Sequence, residues 1–282
     1  MSFIQDLRNP SDFFASIQLI ILVAFIFGLT PMRISGEIEN RFLSFTKAGI
    51  FVTLFHMAMF ATSFILAFLE GHSIVGYFFQ SAVAQIGDSI QKAISLIGIN
   101  YMYFKFFTNR QYLLNLCKYL FESDEMFQEI GVNFGYRKTT FLVNIELIFI
   151  LFLNVAFIIL ANYIILLPNG IYPAYSVSYS FFALPILISV IVVIFCVFAT
   201  RLQKRFAVLN KVLKNLVHQW DNQKTSKITA ITTKSRSFNM ESFSMFTIAS
   251  KSHSDIIQKS MEIHQLLCEA ASIANKYFLT SF

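Results

Sequence analysis

Asp88 and Lys92 stand four residues apart in the stretch SAVAQIGDSIQKAISLIGIN. At that spacing two side chains share one helix face and can form an ion pair. The surrounding stretch is largely apolar, and a lone charge at mid-bilayer costs about 2.5–3.5 kcal/mol on insertion scales. Such groups face the protein interior or a water-filled cavity. The chemistry leaves two roles open: the polar wall of a binding cavity, or a structural pair locking helices together. Gln85 and Gln91 flank the pair.

Other polar residues interrupt apolar stretches. His56 is read as a helix–helix hydrogen bond rather than a sensor. Glu146 is expected to pair with a basic residue near the membrane boundary. Asn154 and Asn162 are expected to bond across helices. Pro185 removes a backbone bond and should kink its helix. Tyr175 and Tyr179 lie on its N-terminal side, as members of an interfacial aromatic belt or as pocket residues.

Enzyme chemistry finds little support. The histidines His56, His72, His218, His253 and His264 are scattered. None forms H-E-x-x-H or a Cys/His cluster, and there is no phosphate loop, G-x-S-x-G or haem motif. No cofactor or metal is expected.

The elements that must hold these residues follow from composition. The chain is 56% hydrophobic and only 13% charged, with 34 phenylalanines. A soluble domain carries about a quarter charged residues, so the surplus apolar surface needs lipid. A hydrocarbon core takes about 20 helical residues to cross. Four stretches meet that length: Lys47–Leu69, Ser81–Phe106, Thr140–Leu167 and Tyr175–Thr200. A fifth, Ile17–Leu29, is too short to span and ends at GLTP, where Pro31 pushes Thr30 out of helical dihedrals. Asp6 and Asp12 spoil a signal peptide's basic region. The segment reads as an interfacial or buried helix.

Basic residues set an orientation. Arg8, Arg33, Arg41 and Lys47 precede the first span, and Lys105, Arg110, Lys118, Arg137 and Lys138 lie between the second and third. Arg201, Lys204, Arg205, Lys211 and Lys214 follow the fourth. Glu70–Gln80 and Pro168–Ala174 carry no Lys or Arg. The alternation places the N-terminus and the long tail in the cytoplasm. It also argues against nucleic acid as the partner of a +6 chain, since the charge follows topology rather than one binding face. Cys117, Cys196 and Cys268 avoid the outer loops, so no structural disulfide is expected.

The tail has helical periodicity at both ends. Leu202, Phe206, Leu209, Leu213, Leu216 and Trp220 continue the fourth span, and Ile256, Met261, Ile263, Leu267, Ala270 and Ala274 form a second stripe that can pack on the first. Asp221–Ser254 between them reads as a disordered loop rich in Ser, Thr and Lys.

The segments FGLTPMRI (Phe27–Ile34), EGHSIVGYFFQ (Glu70–Gln80), SDEMFQEIGVNFGYRK (Ser123–Lys138) and IHQLLCEAASIANKYF (Ile263–Phe278) resemble, in order and spacing, the insect gustatory receptor family. Two of them resemble its broadly expressed subgroup implicated in bitter, light and heat sensing. The resemblance implies an all-α integral protein of the plasma membrane with its N-terminus in the cytoplasm. It also implies a subunit of a tetrameric ligand-gated cation channel, whose seventh span builds most of the pore. Within it, KYFLTSF looks like the start of a fifth span, and the chain like a truncated receptor.

The expected organisation is a cytoplasmic segment over residues 1–46 and a four-helix ligand-binding bundle over 47–200. Cytoplasmic helices with a linker follow over 201–277, and the fifth span begins over 278–282. Expected partners are a small-molecule ligand, the bilayer and other gustatory receptor subunits, like or unlike. Gln85, Asp88, Asn162, Tyr163, Tyr175, Tyr179 and Phe182 are the expected ligand-binding residues. Together they supply the mixture of apolar walls and few polar groups that small-molecule sites show. The competing reading is a small multi-span transporter or accessory subunit, against which stands the absence of an internal repeat.

Overall fold

The computed structural model describes residues 10, 12–36, 41–69, 81–170, 172, 174–228 and 253–279. The loop Glu70–Gln80, residues 171 and 173 of the second loop, and the last three residues of KYFLTSF lie outside them. Helices dominate: α1 (Phe13–Ile26), α2 (Lys47–Leu69), α3 (Ala82–Thr108), α4 (Arg110–Glu129), α5 (Tyr136–Leu160), α6 (Tyr175–Ile228) and α7 (His253–Leu279). The all-α expectation is corrected at one place. Strands β1 (Met32–Ser35) and β2 (Phe42–Phe45) pair antiparallel, Met32 opposite Phe45. Pro31 stops helix propagation, and the Ser35 and Ser44 hydroxyls meet at 2.6 Å across the strands.

Among the described residues, three helical segments are long and apolar enough to cross a membrane: Lys47–Leu69, Tyr136–Asn169 and Tyr175–His218. The expected second span is a helix of 27 residues, about 40 Å long. Asp88, Lys92 and their polar neighbours keep it below the apolar composition of the other three. Beyond α5 the backbone widens into a π-helical segment, Ala161–Leu166, then tightens into a 3-10 turn, Leu167–Asn169. The helix α6 continues through Pro185.

The chain divides into two compact units. The first comprises residues 1–114, 136–197 and 275–282. In it α1 is the buried helix that its length suggests, starting earlier than Ile17. Asp12 caps it, its carboxylate accepting from Ala15 N at 2.6 Å. Phe13, Phe14, Ile17, Ile20, Ile21 and Ala24 are all buried. A helix buried on most sides needs partners for its last carbonyls, and α2 and α3 provide them. His56 Nε2 donates to the Ile26 carbonyl at 2.9 Å. The Tyr103 hydroxyl donates to Phe27 O at 3.0 Å. Thr53 Oγ1 donates to Gly28 O at 2.8 Å. Gly28 itself sits at φ 71°, a conformation that glycine adopts without strain. The helix–helix role read for His56 is the one it plays.

The second unit comprises residues 115–135 and 198–274. Its buried positions on α6 are Phe198, Arg201, Leu202, Arg205, Leu209, Val212 and Leu216, and on α7 Ile256, Ser260, Ile263, Leu267, Ala270 and Ala274. This regular period places Ser260 inside and leaves Met261, read as part of the stripe, 69% exposed. Phe206 and Leu213 are half-buried. The Phe206 and His264 rings lie 6.0 Å apart, so the two stripes do meet. The loop reading of Asp221–Ser254 is corrected at both ends, since α6 runs to Ile228 and α7 starts at His253. Residues 229–252 and the Trp220 side chain lie outside the described residues.

Arg205 takes an apolar register position and is only 2% exposed. Asp124 of α4 answers it with both oxygens, Nε to Oδ1 at 2.8 Å and Nη2 to Oδ2 at 2.6 Å. Nη1 donates to the Arg201 carbonyl at 3.1 Å, and the guanidinium lies 5.4 Å from the Phe134 ring centroid. Nearby on α4, burial pushes the Cys117 thiol up to about 12. Cys268 is exposed.

Candidate functional site

The site is built in the first unit, where α2, α3, α5 and α6 supply side chains. Asp88 and Lys92 form the ion pair their spacing predicts, Nζ to Oδ2 at 2.9 Å, both largely buried. Lys92 Nζ also donates to the Ala67 carbonyl at 3.4 Å. Ala67 lies in the last turn of α2, whose carbonyls lack helical partners and carry partial negative charge. The ammonium therefore ties α3 to the end of α2.

Ala67 belongs to a buried apolar cluster with Ala161, Leu166, Val177 and Phe182, against which Ile158 and Ala174 pack. Phe182 meets Phe157 of α5 edge-on at 6.0 Å. Such pairs contribute about 0.5–1.5 kcal/mol beyond their buried area. A second aromatic run crosses the bundle. Tyr179 lies 5.3 Å from Phe60, Phe60 lies 5.9 Å from Tyr103, and Tyr103 stacks on His56 at 6.4 Å.

Of the residues expected to bind ligand, Phe182 is buried in the cluster, Tyr179 is half-buried against Phe60, and Asp88 is held by Lys92. The others are not gathered with them. Gln85 is exposed, Tyr163 is 67% exposed and Tyr175 is 95% exposed. The Asn162 side chain donates to Ile158 O at 2.8 Å and Asn154 to Ile150 O at 2.8 Å. The expected cross-helix bonds are thus replaced by bonds to each residue's own helix, the usual competition for a short amide side chain. Glu146 is exposed and makes no ion pair among the described residues. Phe60 and Tyr103 were not singled out in the sequence. The signal for Tyr103 is the recurrence of Ile99, Met102, Tyr103 and Phe106 at helical spacing, and for Phe60 that of Thr53, Phe60, Phe64 and Ala67, all buried.

A family model described as "7tm Chemosensory receptor" matches residues 17–281. The chain belongs to the 7tm chemosensory receptor family. The sequence-level resemblance to gustatory receptors therefore holds, and the family is one of chemoreceptors rather than enzymes. Gustatory receptor 28b of Drosophila melanogaster is 33% identical over 260 residues, covering 91% of this chain and 54% of that relative. Gustatory receptor 28a of the same organism is 24% identical over 270 residues, covering 90% of the chain and 59% of that relative. The receptor chain thus spans about half the length of the curated relatives it matches. No solved structure matches it.

Proposed function

We propose that this chain is the ligand-binding part of a gustatory receptor subunit, sensing small molecules of the bitter class. The whole receptor is a tetrameric ligand-gated cation channel of like or unlike subunits in the plasma membrane. Four helices, α2, α3, α5 and α6, cross the bilayer, with the N-terminus and the long tail in the cytoplasm. The organisation follows the boundaries 1–46, 47–200, 201–277 and 278–282. One observation carries the reading: a buried ion pair, Asp88–Lys92, is bonded to Ala67 of the apolar cluster that holds Phe182. A ligand seated there meets apolar walls and a few fixed polar groups, the pattern of small-molecule sites. Tyr179, half-buried against Phe60, completes the proposed wall.

The testing experiment is a dose–response series in a full-length family receptor carrying this sequence. Tyr179→Ala removes a stiff aromatic contact, and such hot-spot losses exceed about 1 kcal/mol, roughly tenfold in half-maximal concentration. Asp88→Asn removes the charge that faces Lys92 and should shift the response in the same direction. Normal surface expression with unshifted curves for both variants across an agonist panel places the pocket elsewhere.

The orientation has its own test. Loops without Lys or Arg face outside under the positive-inside rule. Tags at His72 and Asn169 should be reached by antibody on intact cells, and tags at Ser2 and Ser235 only after permeabilisation. Outside labelling at Ser235 would reverse the topology.

A further inference from the structure

A cavity of about 350 Å³ lies between α1 and β1, apart from the aromatic run and the ion pair. Gln18, Ile21, Leu22 and Phe25 line it from one face of α1, at the i, i+3, i+4, i+7 spacing of a helical stripe, and Met32, Arg33 and Ile34 line it from β1. Its walls are apolar apart from two groups. Arg33 is exposed, and its side chain makes no ion pair among the described residues. The Gln18 amide oxygen is buried without a hydrogen-bond partner, a costly state for a carbonyl.

The cavity's depth follows from its neighbours. Thr46 N donates to Pro31 O at 3.0 Å, so β1 starts at the N-terminal end of the span Lys47–Leu69. Thr53, which holds the end of α1 through Gly28, is about 9 Å further along that helix. With Lys47–Leu69 set across a bilayer, the cavity lies at the level where headgroups meet acyl chains. Leu22 and Ile26 of α1 are exposed apolar side chains beside it.

We propose that this cavity binds an anionic membrane lipid, with an acyl chain along Ile21, Leu22, Phe25, Met32 and Ile34. The headgroup phosphate pairs with Arg33. The Gln18 amide oxygen gains the donor it lacks from a headgroup hydroxyl, such as the P–OH of a singly ionised phosphate. A lipid is favoured over a soluble anion because the lining is mainly hydrocarbon and the position is interfacial. A guanidinium matches phosphate geometry with parallel donors.

The test uses the purified chain in detergent micelles with photoactivatable, clickable phosphatidic acid, and phosphatidylcholine carrying the same acyl probe. Cross-links are mapped by mass spectrometry. Phosphatidic acid should label the peptide containing Gln18–Ile34 more strongly than phosphatidylcholine. Arg33→Gln, at an exposed position, should lower that labelling about fivefold, as expected for one basic residue at an anionic surface. Leu22→Trp should abolish it by filling the cavity, and if that variant elutes misfolded, Arg33→Gln alone decides. Equal labelling by the two lipids overturns the proposal, as does labelling unchanged by Arg33→Gln. Displacement of the probe by soluble glycerol phosphate as effective as by unlabelled phosphatidic acid also overturns it, because the chain would then contribute nothing.

Discussion

Asp124→Ala should lower the stability of the second unit by about 3–5 kcal/mol, the cost of leaving a buried charge without its partner. Arg205 would keep its place in the α6 core register, 2% exposed, and lose both bonds to the carboxylate. Arg205→Ala should cost a similar amount, because Asp124 would lose the guanidinium that binds both its oxygens, and it also removes packing. The double replacement Asp124→Leu with Arg205→Met removes both charges and should recover much of the loss, since apolar residues of similar volume often replace buried pairs without penalty. Thermal unfolding in detergent, read as an apparent midpoint, ranks the four proteins. If each single variant unfolds within a degree or two of the wild type, the pair does not hold α4 to α6.

Gly49→Ala should be the most damaging single-methyl change in the first unit. A Cβ at Gly49 would lie 2.5 Å from Pro31 Cα, 2.6 Å from its carbonyl carbon and 2.8 Å from its oxygen. These are backbone atoms, so no side-chain rotation relieves them. Pro31 cannot retreat cheaply. Its carbonyl accepts from Thr46 N at 3.0 Å, and Gly28 nearby is held by Thr53, which also donates to Gly49 O at 3.0 Å. Overpacking a tight site costs about 1–3 kcal/mol or more, and here it also strains the contact that docks α1 on α2. Gly98→Ala is the control, because a Cβ there meets nothing within 4 Å. Gly49→Ala should lose most surface expression and Gly98→Ala should keep it. Equal expression of the two would mean that α1 is free to shift away from α2.

Much of this arrangement was legible from residue spacing. The apolar runs located four long helices, three of them apolar enough to cross a membrane, and the i,i+4 rule located the Asp88–Lys92 pair. The shortness of Ile17–Leu29, with its GLTP ending, marked an interfacial or buried helix rather than a span, and most of its side chains are buried. What escaped detection depends on contacts between segments far apart in the chain. Arg205 reads as one more basic residue in RLQKRF until the core period of α6 is known, because Asp124 stands 81 positions away. Tyr103 and Phe60 look like ordinary apolar-stripe residues until Phe27 supplies a carbonyl and Tyr179 a ring. Asn162 and Asn154 show the opposite failure, since a polar side chain inside a span has its own helix's carbonyls as nearer partners. The hairpin was missed because its strands are short and only Pro31 punctuates them. The π-helical segment Ala161–Leu166 leaves no compositional mark in ANYIIL, although such segments often occur at functional sites.

The most direct measurement is binding of a small-molecule agonist to the purified 282-residue chain in lipid nanodiscs, followed by thermal stabilisation. A ligand that binds only the folded state at about a hundred times its Kd should stabilise it by about 2.7 kcal/mol. The expected result is a saturable shift whose midpoint matches the concentration that activates the full-length receptor, weakened about tenfold in Tyr179→Ala. An agonist that activates the full-length receptor yet leaves this chain's unfolding unmoved at every concentration would contradict the account.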